Sequence, residues 1–107
     1  MTYKEMFTEV RRLCRNVDAS QEKEHIAVQF NVTGRAEGVF YMEVRDGVLH
    51  IEPYDYYDRD GAITAPAETI LDVLYGKMSI TFAVENFAFI EGNMVKIRKL
   101  RDIVLKQ

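Results

Sequence analysis

The dipeptide Asp46-Gly47 constrains this chain more than any other feature. Asp-Gly between two alternating apolar runs marks a two-residue β-hairpin with a type I′ turn, which needs positive φ at both central positions. Such a turn fixes the register on either side of it. Val44 then faces Leu49, Met42 faces Ile51 and Phe40 faces Pro53, so six apolar residues share one face of a strand pair. On the other face Glu43 stands opposite His50. The pattern places no nucleophile beside that pair, so it reads as a cross-strand polar contact on a solvated face and not as a catalytic dyad.

Upstream, Thr2 and Glu5 form a capping-box pattern. Met6, Phe7, Val10, Leu13, Cys14 and Val17 recur at helical spacing and predict an amphipathic helix over 3–17. Cys14 lies on its apolar stripe and reads as a buried structural thiol. After a polar connection over 18–24 the period changes to two. Ile26, Val28, Phe30 and Val32 alternate with Ala27, Gln29, Asn31 and Thr33, predicting a half-buried strand, and a loop over 34–38 leads into the hairpin.

Downstream, Tyr54, Tyr56 and Tyr57 interleave with Asp55, Asp58, Arg59 and Asp60. Asp58-Arg59-Asp60-Gly61 imitates part of a calcium loop, but the position two before Asp58 is Tyr56. The terminal glutamate of such a loop would fall on Ala67, with Glu68 one place late. A structural turn is the better reading, and no metal site is expected. A short strand over 62–65 follows, and Pro66 suits the first turn of a helix. That helix buries Ala67, Ile70, Leu71 and Leu74, turns Glu68, Thr69 and Asp72 to water, and stops at Gly76.

Residues 76–100 hold the longest apolar stretch of the chain, with Ile80, Phe82, Val84, Phe87, Phe89 and Ile90 in it and Glu85 and Glu91 the only charges over 78–92. Ile80, Phe82 and Val84 alternate like a strand, and Glu85-Asn86 then reads as a hairpin turn into a strand over 87–91. Asn93 caps a final helix with Met94, Ile97, Leu100 and Val104 inward. Lys96, Arg98, Lys99, Arg101 and Lys106 fall mostly on its outer side. A solvated helix face is the first reading of that basic side, and transient contact with an anionic membrane the second.

Several classes of function are excluded on composition. A net charge of −3 argues against general nucleic-acid binding. No apolar run approaches the ~20 residues that span a bilayer. The charged N-terminal stretch is not a signal peptide, and a single cysteine fits a reducing cytoplasm. At 107 residues the chain is expected to form one domain over 1–107. No acid, base and nucleophile set converges, so no catalytic residue and no cofactor are expected.

The words GVFYMEVRDGVLHIEPYDYYDRDGAITA over 38–65, then GKM over 76–78, EGN over 91–93 and KL over 99–100, resemble the sterol carrier protein family in its short stand-alone bacterial form. The resemblance covers nearly the whole chain. It implies an α/β (α+β) fold: a mainly antiparallel five-stranded sheet covered on one face by helices, with a hydrophobic tunnel between them. It also implies Phe40, Met42, Ile51, Ile70, Leu74, Met78, Ile90, Ile97 and Leu100 as ligand-binding positions, and Phe82 joins them as a candidate. The family's counterpart of 79–85 is a short helix, often opened by Asp-Pro, with a Gly in the place of Asn86. Asn can still take the left-handed conformation that Gly provides, so the short helix that the resemblance implies over 79–85 is the expectation, ahead of the hairpin.

The resemblance implies non-enzymatic binding and transfer of an apolar lipid: a fatty acid, an acyl-CoA or an isoprenoid. The alternative is an interaction module of the same fold, its cavity filled, that associates through exposed aromatics. Phe87 and Phe89 bear on that choice, because they occupy outward positions where the family carries lysines. On the same side of a strand, they are expected to be covered by a second copy of the chain, giving a homodimer. A one-residue register shift would instead turn both inward.

Overall fold

Asp46 and Gly47 both take positive φ, 54° and 75°, and join β2 (Gly38–Arg45) to β3 (Val48–Glu52) through the expected tight turn. The computed structural model describes residues 1–105, so Lys106, assigned above to the outer side of the last helix, lies outside them. Val44 pairs with Leu49 and Met42 with Ile51. The ladder ends at Tyr41–Glu52, so Phe40 has no partner on β3 and Pro53 is exposed. Proline has no N–H to continue the pairing.

Phe40 pairs instead with Phe30 on β1 (Ile26–Thr33), which runs antiparallel to β2. On its other side β1 pairs in parallel with β4 (Gly61–Pro66), and β4 pairs antiparallel with β5 (Phe89–Gly92). The result is an open, mixed, mostly antiparallel five-stranded sheet in the order β3-β2-β1-β4-β5. Gly92 permits the last pairing: a Cβ there would lie 2.5 Å from the Gly61 Cα, and its φ of +102° is itself glycine's.

As the central strand, β1 is buried on both faces, not on one as its alternation suggests. The segment between β3 and β4 covers its polar side. The Tyr56 amide donates to Gln29 Oε1 at 3.0 Å, and the Ala27 amide donates to the Asp60 carboxylate at 2.8 Å. Those bonds satisfy groups that would be costly to bury unpaired.

Helix α1 (Tyr3–Leu13) starts at the expected capping box, with Thr2 Oγ1 accepting from the Glu5 amide and Glu5 from the Thr2 amide. It ends earlier than the periodicity implies. From Cys14 the chain tightens into a turn, Arg15 bonding back to Arg12, and Val17 still packs against the core from outside the helix. Helix α2 (Ala67–Leu74) has Pro66 as its N-cap, just before its first turn. Thr69, expected to face water, is buried, because α2 is flanked by α1 and α3 as well as by the sheet.

Residues 80–86 are helical. Helix α3 (Ile80–Asn86) is capped by Ser79, whose hydroxyl accepts from the Phe82 amide at 3.1 Å, and the hairpin reading of this stretch is wrong. Ala83 is its buried contact. Asn86 stays in the helix, its side chain donating to the Phe82 carbonyl, and does not adopt the left-handed conformation. Phe87 is therefore the α3 C-cap, and β5 begins only at Phe89. Helix α4 (Met94–Leu105) follows, with Asn93 Oδ1 accepting from the Lys96 amide.

The core lies between one face of the sheet and these helices. Its aromatic centre is Phe40, stacked on Phe30 at 4.7 Å and met edge-on by Phe7 of α1 at 5.8 Å.

Candidate functional site

Close packing does not extend across the whole interface between sheet and helices. A cavity of about 360 Å³ opens where β1, β4 and β5 meet α2, α3 and α4. Its inner wall is Phe30, Met42, Ile63 and Ala65, its sides Ile70, Leu74, Ala83 and Ile90, and its floor Ile97 and Leu100. Val84, Met94 and Leu105 both line it and stand open to solvent, which makes them its mouth.

Of the ten positions singled out in the sequence, Met42, Ile70, Leu74, Ile90, Ile97 and Leu100 stand together on this wall. The other four do not. Phe40 is locked into the aromatic centre, and Ile51 is buried on the edge strand β3. Both belong to the end of the sheet that α1 closes, where Phe7 packs on Phe40 and Arg11 pairs with Glu52 at 3.3 Å. Met78 sits half-buried between α2 and α3, away from the wall. Phe82 points outward, its ring 6.0 Å from that of Phe87.

Sequence reasoning missed Ile63, Ala83 and Thr69 on the wall and two arginines beside it. Ile63 was within reach, because it pairs directly with Ile90 across β4 and β5. Arg98 and Arg101 follow Ile97 and Leu100 by one position each, so they flank the same helical stripe. Arg101 Nε pairs with Asp102 at 3.0 Å. Glu85 is the third charged group at the cavity, on the exposed side of α3. Among the described residues, the rest of the lining is apolar apart from Thr69 and Thr81.

A second polar cluster lies across the sheet from the cavity. Glu43 faces His50 in the ladder, yet its carboxylate binds His25 Nε2 at 2.7 Å and the Tyr56 hydroxyl at 2.9 Å. Glu43 is only 3% exposed, so this is not the solvated face the alternation suggests. Burial would raise its pKa, but the hydrogen bonds from His25 and Tyr56, with Arg45 nearby, outweigh that and hold it below the usual glutamate value. Burial, with the bond to Glu43, pushes the Tyr56 hydroxyl up. Tyr56 packs edge-on against Tyr41 at 5.0 Å. The cluster fastens the Tyr-rich segment to the sheet. Burial also raises the Cys14 thiol to about 11, which keeps it protonated at neutral pH.

An exposed apolar surface borders the cavity mouth. Phe87 is 51% and Phe89 63% exposed, with Phe82 and Val95 also open. Both phenylalanines face outward, so the register shift that would have buried them does not occur, although only Phe89 lies on the strand.

No protein-family model matches the sequence, and no curated protein matches it. Solved structures do, and the fold is that of the sterol carrier proteins. Sterol Carrier Protein 2 Like 2 from Aedes aegypti is 14% identical, with a TM-score of 0.69 over 94% of this chain and 94% of that one. Palmitated SCP2L2 from Aedes aegypti is 16% identical, with a TM-score of 0.69 over 97% and 95%. The sec-alkylsulfatase Pisa1 from Pseudomonas sp. also matches, at 13% identity and a TM-score of 0.64 over 75% of this chain. This chain spans only 13% of the length of that enzyme.

Proposed function

We propose that this chain is a non-enzymatic carrier that binds an apolar lipid in the cavity between its sheet and α2, α3 and α4. The observation that carries the reading is the open, apolar volume of about 360 Å³ inside an otherwise well-packed core. Protein interiors seldom leave such a space unfilled. At roughly 30 Å³ per heavy atom it holds about a dozen, the body of a medium fatty acyl or isoprenoid chain. Met42, Ile70, Leu74, Ile90, Ile97 and Leu100 are the ligand contacts in this reading, worth about 25 cal/mol for each Å² of apolar surface they cover. The palmitated relative of the same fold supports a fatty acyl ligand. The match to an alkylsulfatase spans only 13% of that enzyme, so it carries no hydrolytic activity over to this chain. A single buried thiol fits a cytoplasmic carrier.

Native mass spectrometry of freshly purified protein, with titration of a fluorescent fatty acid, tests the proposal. A co-purified lipid mass and saturable, displaceable binding are expected. No adduct together with no probe binding would sink it.

A second reading concerns assembly. The open aromatic rings of Phe82, Phe87 and Phe89 lie at the sheet edge formed by β5 and favour a homodimer across this edge. The same rim, with Arg98 and Arg101 at the mouth, supports transient contact with an anionic membrane during loading.

A further inference from the structure

Among the described residues, the cavity wall contains one buried polar side chain that the fold leaves unused. Thr69 is 6% exposed and stands on the wall from the first turn of α2. A threonine inside a helix ordinarily bonds its hydroxyl to the carbonyl four residues back. For Thr69 that residue is Ala65, which lies in β4 outside the helix. Among the described residues its hydroxyl has no hydrogen-bond partner. None of their buried side-chain oxygens or nitrogens is sealed away without a partner, so this hydroxyl is not closed off, and the space that Thr69 borders is the cavity.

Charged groups are distributed differently. Arg98 and Glu85 are exposed and Arg101 is half-exposed, so they belong to the mouth. A carboxylate carried to the depth of Thr69 would lose its water and meet no cation, which is strongly unfavourable. An uncharged oxygen would gain a partner there and relieve the hydroxyl at the same time. We propose that Thr69 is a specificity-determining residue that selects lipids with a neutral hydrogen-bonding oxygen, such as an alcohol or ketone, bound with the oxygen end innermost. The proposal rests on the lipid-binding reading of the cavity and adds to it the class and direction of the ligand. A fatty acid enters the same space with its tail inward and its carboxylate at the arginines.

The test displaces a fluorescent fatty acid from the native protein, Thr69→Val and Thr69→Ser with lauryl alcohol and with lauric acid. Thr69→Val should weaken the alcohol by roughly two- to tenfold, the range spanned by one net hydrogen bond. It should change the acid by less than twofold, and Thr69→Ser should keep the alcohol's native affinity. Equal losses for both ligands, or no loss for the alcohol, would overturn the assignment while leaving the carrier reading intact. If Thr69→Val does not fold, the ratio of alcohol affinities between Thr69→Ser and Thr69→Ala reads the same hydroxyl. Failure of the probe to bind the native protein would instead bring down the carrier reading, and this proposal with it.

Discussion

His25 Nε2 lies 2.7 Å from the Glu43 carboxylate, although the β-ladder sets His50 and not His25 opposite Glu43. The Tyr56 hydroxyl completes the arrangement, so three segments distant in sequence meet at one buried acid. A depressed carboxyl pKa stabilises the fold above the unfolded-state value and loses that contribution as pH falls through the folded value. Glu43→Gln should therefore lower the melting temperature at pH 7 by about 4–8 °C, the equivalent of about 1 kcal/mol. The gap between the two proteins should narrow as pH drops below the ordinary glutamate value of 4.5. Melting curves across this range check it, and a gap independent of pH would contradict the role given to Glu43.

Leu74 is half-buried on the cavity wall, whereas Phe40 is sealed in the aromatic centre. Leu74→Trp should fill the cavity and weaken fatty-acid binding at least tenfold while the protein still folds. Phe40→Leu should cost about 1–2 kcal/mol of stability and leave the affinity nearly unchanged. Fluorescence titration beside denaturant unfolding separates the two effects. The reverse pattern would mean that the ligand lies elsewhere.

Phe87 and Phe89 are both open to solvent beside the sheet edge. Sedimentation of the native protein should give a dimer, and Phe87→Lys/Phe89→Lys a folded monomer. A stable interface buries about 800 Å² on each partner, more than two rings alone supply, so Phe82 and Val95 should also lie within it. A native monomer at high concentration would exclude this edge as a self-association surface.

Both oxygens of the Asp60 carboxylate are already engaged, one by the Ala27 amide at 2.8 Å and the other by Lys96 at 3.1 Å. Calcium at millimolar concentration should thus leave the melting temperature unchanged relative to a chelator. A rise of several degrees would mean that the segment rearranges into a metal site.

How far the fold can be read from residues alone varied along the chain. At Asp46-Gly47 the turn chemistry and the alternation agree, and the register follows from local rules. Between Ser79 and Asn86 they conflict: Ile80, Phe82 and Val84 alternate, while the Ser79 cap and the inward Ala83 make the helix. Resemblance to the sterol carriers favoured the correct choice there. Membership of a face is legible from period two, but position along the sheet is not. Phe40 and Ile51 share a face with Met42, and only the docking of α1 excludes them from the cavity. The burial of Thr69 depends in the same way on helices that flank α2, which no pattern within α2 encodes.

Apart from Phe30 and Met42, every described residue on the cavity wall comes from Ile63 onward. The β1–β2–β3 meander pairs chain neighbours, whereas β4 must return past it to lie parallel to β1. Local pairing forms readily and the distant parallel pairing late, so a refolding molecule gains an ordered meander before it has any pocket. A ligand of the proposed kind would have nothing to hold until the final docking step. Bound ligand should accordingly slow unfolding while leaving the refolding rate almost untouched, so that the cargo acts as a latch on a finished protein and not as a template for an unfinished one.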